Sequence, residues 1–248
     1  MIRRSAYFPH PLILLAIGLC LVTLQCERLK EAPRPDWLPE GAYRDGMLWK
    51  YIAPDGQYTA YYTDGQIAET GQYRGNLRTG IWTSYAIDGH QVTSRGRYTN
   101  DLRDGTWEHY DTEGVLYLTI EYKPEPRRTF LLLEVKDYGN ENGAYRRYYP
   151  DGSLEEEGYF WSGYFDGPVR RWHANGKPAM EGRYDQDNKT GTWKYYYPDG
   201  TLDHVEQYSN GKLNGVQRNY YPDGSPYHVS TFVDGQLSGP PEIFPLAR

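Results

Sequence analysis

Cysteine is nearly absent: Cys20 and Cys26 are the two in 248 residues, and both lie near the N-terminus. If the chain is cut before Cys26, one cysteine remains and no intramolecular disulfide can form. Phenylalanine is also scarce, with six residues against 26 tyrosines. That balance suits a thin sheet, where a ring is half-buried while its hydroxyl stays wet, and it argues against a thick, dry core. Past the N-terminal segment, the one long apolar run is around Phe130, Leu131, Leu132 and Leu133. Buried parallel strands, which read as continuous apolar runs, are therefore not expected.

Positive charge is in deficit, with 27 basic against 33 acidic residues. The first 25 residues hold Arg3 and Arg4 as their charges, so the remainder carries 25 basic against 33 acidic, a net charge of −8. Such a surface repels phosphate backbones and anionic headgroups, so neither nucleic acid nor direct binding of the array to a membrane is expected.

Recognisable catalytic patterns are missing too: there is no C-x-x-C, H-E-x-x-H, G-x-S-x-G or phosphate-binding loop. His204 and His228 recur 24 residues apart. Equivalent sites two strands apart are separated by ~9–10 Å, too far for both rings to bind one zinc at ~2.0–2.1 Å. Glu155-Glu156-Glu157 reads as a solvated strand kept soluble by its charge. No catalytic residue, metal or cofactor is expected.

What is present begins with an export signal. Arg3 and Arg4 precede the apolar stretch Pro11–Leu24. Its 14 residues are short for a membrane span, which needs roughly 20, and fit a signal-peptide core over residues 1–25. Cys26 follows at once, where a bacterial lipoprotein is cut and acylated, and is the expected lipid attachment site. Residues 26–45 contain Pro33, Pro35 and Pro39 and read as a semi-extended tether. The expected location is the bacterial cell envelope, with membrane contact through the N-terminus alone.

The rest is periodic. Glycine recurs at Gly56, Gly80, Gly105, Gly143, Gly167, Gly191, Gly215 and Gly239, mostly at a step of 24 residues, with one step of 38. A fixed period of this length signals a repeat architecture. Seven units fill residues 46–239, with an insertion at about 123–137 and a tail or cap at 240–248. Each unit holds two strand-like halves rich in β-branched and aromatic residues, as in Thr192-Trp193-Lys194-Tyr195-Tyr196-Tyr197. A tight turn such as Pro198-Asp199-Gly200 joins the halves. Proline cannot donate across a two-residue hairpin, so a three-residue loop with Gly200 left-handed is expected. A wider polar loop such as Ser209–Lys212 leads to the next unit. The fold class is all-β: an elongated, single-layer antiparallel β-meander of about seven hairpins.

Aromatics mark two positions in each unit. Trp82, Trp107 and Trp193 lie two places after the unit glycine; Tyr110, Tyr148, Trp172, Tyr196 and Tyr220 lie five places after it. Positions three apart in a regular strand point to opposite faces, so rings are expected on both. Packing between repeats is their expected role. The apolar run at Phe130–Leu133 is the sharper candidate for partner binding.

The recurring G-x-W/Y-x-x-Y-x-x-D/N-G, followed by Y-x-x-G-x-x-x-G, resembles the MORN repeat in its bacterial variant form, including proteins named as YwqK-type antitoxins. The resemblance covers about residues 46–239. It implies an elongated meander that serves as a protein-interaction or scaffolding surface, and it carries over no catalytic residues. The function expected is a non-enzymatic surface for an unidentified protein partner. The alternatives are a glycan- or peptidoglycan-binding module that uses exposed aromatic rows, and an antitoxin-like protein that neutralises a partner.

Overall fold

The computed structural model describes residues 34–123 and 141–245, all but the first two of which belong to the unit Asp36–Arg248. Cys26 and Phe130–Leu133 lie outside the described residues. Among the latter there is no helix; twenty strands form one open antiparallel sheet, an elongated single layer in which each strand pairs with its neighbour in sequence. Three of the twenty are short leading pieces of the strand that follows: Tyr164–Phe165, Lys212–Leu213 and Gln236–Leu237. The meander continues past the last expected hairpin, because Glu242–Ile243 pairs with His228–Val229.

Both connections follow from turn chemistry. Tyr197 N donates to Thr201 O at 2.8 Å and Gly200 N donates to Tyr197 O at 2.8 Å, which makes Pro198-Asp199-Gly200 a three-residue loop with Gly200 at φ +91°. The Asp199 carboxylate accepts the Thr201 hydroxyl at 2.6 Å and the Thr201 N–H at 2.8 Å, and these bonds, the hydroxyl's first, hold its pKa below the usual carboxylate range. The return loop corrects the sequence reading, for it is the tighter of the two. Asn210 and Gly211 sit at φ +48° and +77° between the paired Ser209 and Lys212, a two-residue hairpin of the type whose twist matches the strands. A polar four-residue stretch looks wide in sequence because its outer members already belong to the ladder.

In each hairpin the register slips once, just past the three-residue loop: Tyr195 pairs with His204 but Tyr196 with Leu202. The same slip recurs at Ser84/Tyr85, His109/Tyr110 and Asn219/Tyr220. The extra residue lies on the second strand, so the first keeps its alternation. Trp193 and Tyr196 therefore face opposite sides, and rings occupy both faces.

One face is an aromatic core. Trp82 stacks on Tyr58 at 4.9 Å and meets Tyr73 and Tyr98 edge-on at 5.3 and 5.7 Å; Tyr98 in turn meets Trp107 at 5.0 Å. A second chain of rings runs through Tyr145, Phe165, Tyr184 and Trp193 to Tyr208. Glycine makes this depth possible in a single layer. A Cβ at Gly71, Gly96 or Gly182 would overlap the indoles of Trp82, Trp107 and Trp193, which lie flat on those backbones. Cations cover the other side: the Arg78 guanidinium is 3.9 Å from the Tyr98 ring centroid, Arg103 is 4.3 Å from Trp107 and Lys189 Nζ is 4.3 Å from Trp193.

Glu69 lies half-buried on this face beside Tyr58 and Ser84, whose hydroxyl is 3.5 Å away. Burial pushes its carboxyl above the usual range, and Arg78 and Lys50 offset part of that. The folded state thus binds this proton more tightly than the unfolded state, so the stability tied to Glu69 falls as pH rises through the folded pKa. Glu69→Gln is expected to melt higher than the parent at pH 7, with the gap closing toward pH 4. Thermal melts across that range check it; a lower melting temperature at pH 7 would contradict the sign.

Candidate functional site

The two faces offer different things to a partner. On the aromatic face Trp82, Trp107 and Trp193 are all buried, Trp193 to 1 % exposure, and none is available for contact. Tyr110, Tyr148, Trp172, Tyr196 and Tyr220 are half-buried on the opposite face. Each pairs directly with one residue just beyond the loop: Tyr110 with Leu116, Tyr148 with Leu154, Trp172 with Pro178, Tyr196 with Leu202, Tyr220 with Pro226. Tyr61–Ile67 and Tyr85–Val92 extend the same row. Directly opposed residues share a face. The result is an aromatic–aliphatic strip that repeats every second strand along the loop edge.

The backbone under this strip is held from unit to unit. Tyr62 Oη donates to Tyr85 O at 2.8 Å, Tyr149 Oη to Trp172 O at 2.8 Å and Tyr197 Oη to Tyr220 O at 3.0 Å. His173 Nε2 lies 2.8 Å from Tyr196 O and fills the same role. Each bond spans 23 residues, so it locks the first strand of one hairpin to that of the next. Tyr196 also donates to Glu181 at 2.9 Å; burial, then this bond, pushes its pKa up to about 12, so it remains a donor at neutral pH.

Beside the strip the same face carries a ladder of alternating charge. Arg146 pairs with Glu157, Glu157 with Arg170, Arg170 with Glu181 and Glu181 with Lys194. The Lys194–Glu181 contact is 3.0 Å and the Arg146–Glu157 contact 3.9 Å. Neighbouring charges of opposite sign cancel one another's field, so this row borders the strip and presents no single-sign surface.

Glu156 departs from the expectation that the acidic run is solvated. It is 5 % exposed and lies on the aromatic face, bonded by Arg171 and by the Tyr145 hydroxyl at 2.9 Å. The slip at Glu155 and the central place of its strand bury one acid of the three; Glu157 joins the ladder on the other face. His204 stacks on Tyr195 at 4.1 Å and its Nδ1 is 3.0 Å from Asp203; His228 lies 3.1 Å from the Asn219 amide.

The sequence reading missed two groups. One is the set of aliphatic partners, Ile67, Leu116, Leu154 and Leu202, each two residues after a loop glycine, a spacing visible in the sequence. The other is Tyr159, Trp161 and Tyr164, which are 50, 57 and 51 % exposed around the turn Ser162-Gly163. Trp161 and Tyr164 are paired across that turn. Tyr159 and Trp161 line a cleft of about 490 Å³ together with Lys123, Asn142, Asp166 and Arg183.

A single sheet built of hairpins that each pack only on their neighbours defines a β-repeat array. Five segments, residues 54–74, 103–123, 141–162, 165–186 and 189–210, match the family model described as MORN repeat variant, and the chain belongs to that family. The hairpins between residues 77–99 and 212–233 share the geometry without a match of their own. Repeats of this family are non-catalytic and commonly serve as protein- or membrane-binding modules. Comparison with curated proteins gave no match.

Proposed function

We propose that this chain is a non-enzymatic, exported protein, held at the cell envelope through Cys26, whose array binds another protein along the aromatic–aliphatic strip. The observation that carries this reading is the strip itself. The rings that build the core are buried on the other face, yet every unit spends a second aromatic and an aliphatic partner on a half-exposed row. Successive pairs are two strands apart, ~9.4–9.8 Å. An amphipathic helix repeats an apolar residue every seven positions, ~10.5 Å, so a helix lying along the row could place one anchor on each unit. The bordering charges of both signs suit the polar flanks of such a helix.

The test is site-specific photo-cross-linking in intact cells. A photoreactive residue in place of Tyr110 or Tyr196 is expected to give a discrete adduct with one protein, and the same residue at Trp193 none. Equal adducts from both faces, or none from the strip, would defeat the reading. Envelope attachment is checked separately: Cys26→Ala is expected to abolish fatty-acid labelling and release the protein from the membrane fraction, and unchanged fractionation would point to another anchor.

A further inference from the structure

The repeat supplies its own control for the exposed rings near the turn Ser162-Gly163. At the positions of Tyr159 and Trp161 the earlier hairpin closed by Asn100-Asp101 carries Arg97 and Thr99, and the following one, closed by Gln186-Asp187, carries Arg183 and Asp185. Those units form the same ladder with the same turn, so the fold does not require aromatic residues here. Three large rings at about half exposure are a cost in solubility that packing among the described residues does not recover.

The cleft beside them has the size of a small-ligand site, which usually spans roughly 300–1,000 Å³. Its walls are of two kinds. Tyr159 and Trp161 give apolar ring faces, while Lys123 and Arg183 offer N–H donors and Asp166 an acceptor carboxylate. Gly143 and Gly167, at φ +147° and +110°, bring bare backbone to the lining. A wholly apolar ligand would strip water from three charged groups without replacing their hydrogen bonds. A flat protein surface would not enter the concavity. A sugar ring meets both demands, because its C–H face packs on an aromatic ring while its hydroxyls reach donors and acceptors at the rim. Two cations against one carboxylate favour a sugar that carries an acid group.

We propose that the cleft between Tyr159, Trp161, Asp166 and Arg183 is a saccharide-binding site that prefers acidic sugars. It is separate from the strip, and failure of either leaves the other standing. The full chain is labelled with 5-fluorotryptophan and titrated with neutral and uronic-acid-containing oligosaccharides while the ¹⁹F resonance of Trp161 is followed. A saturable shift with the acidic sugars is expected. Calorimetry on Tyr159→Gln/Trp161→Ser, which borrows residues found at these positions in other units (Gln207, Ser209), is expected to show binding about tenfold weaker or lost, with the melting temperature unchanged. No shift at millimolar sugar, or equal binding by the double variant, would overturn the proposal. So would a Trp161 resonance shielded from a soluble paramagnetic agent until residues 124–140 are deleted, since the rings would then belong to that segment.

Discussion

Replacing Trp193 with alanine is expected to cost about 3–5 kcal/mol, the range for deleting a large buried ring. Trp193 is the largest fully buried side chain among the described residues. Its ring meets Tyr184 at 5.0 Å and Tyr208 at 6.2 Å, lies on Gly182 and is covered by Lys189 at 4.3 Å. Its indole N–H has no hydrogen-bond partner among the described residues, so packing rather than polar bonding holds it there. Because each repeat contacts only its neighbours, the loss should fall on the hairpins from about residue 178 onward and spare Trp82 and Trp107. Gly182→Ala is expected to be comparably harmful, since the new methyl would overlap the indole. In the Trp193→Ala background the same change should reverse sign, because the obstacle is gone and alanine is the better strand residue by ~0.5–1 kcal/mol. Urea unfolding followed by near-UV circular dichroism decides. A penalty for Trp193→Ala no larger than that for Trp172→Ala on the opposite face would refute the two-face assignment.

The period of the glycines and the Pro-Asp-Gly turns made the meander legible, because turn geometry is local chemistry that sequence records directly. Rings on both faces were legible for the same reason: positions two and five after the unit glycine differ by three. What could not be read was which face would be buried. That depends on partners in other strands. Trp82, Trp107 and Trp193 each follow a glycine eleven residues earlier and a cation four residues earlier (Gly71 and Arg78, Gly96 and Arg103, Gly182 and Lys189). Val169 and Gln217 lack the cation, and their neighbouring strands close without a tryptophan. The rule is visible in sequence only after the structure has said which positions touch. Glu156 was misread for a related reason: charge averaged over three glutamates says nothing about the one that alternation and a register slip turn inward. The candidate surfaces were half legible. The aromatic half of the strip stands at a fixed repeat position, though its expected role was packing between repeats, while the aliphatic half and the cleft rings are hidden among residues that no repeat consensus marks.

Arg171→Ala is expected to destabilise the protein by about 1–3 kcal/mol, the usual cost of leaving a buried acceptor short of its donor, and to cost more than Glu156→Gln. The asymmetry follows from exposure. The Glu156 side chain is 7 % exposed and that of Arg171 45 %. Removing the acid frees a guanidinium already half in water, which can swing outward. Removing the guanidinium strands a carboxylate that cannot. Its remaining neighbours are the Tyr145 hydroxyl at 2.9 Å and Arg147 Nη1 at 3.8 Å, a single donor and a distant charge. Burial, then Glu156, pushes the Tyr145 pKa far up, so it stays protonated and cannot take over the role of a cation. If the pair were valuable in itself, both single changes would cost alike. If the penalty is desolvation of the carboxylate, Arg171→Met combined with Glu156→Leu should recover most of the loss, because an apolar pair of similar volume needs no partner. The double-mutant cycle in urea separates the two accounts, and a double variant as unstable as Arg171→Ala would rule out desolvation as the cause.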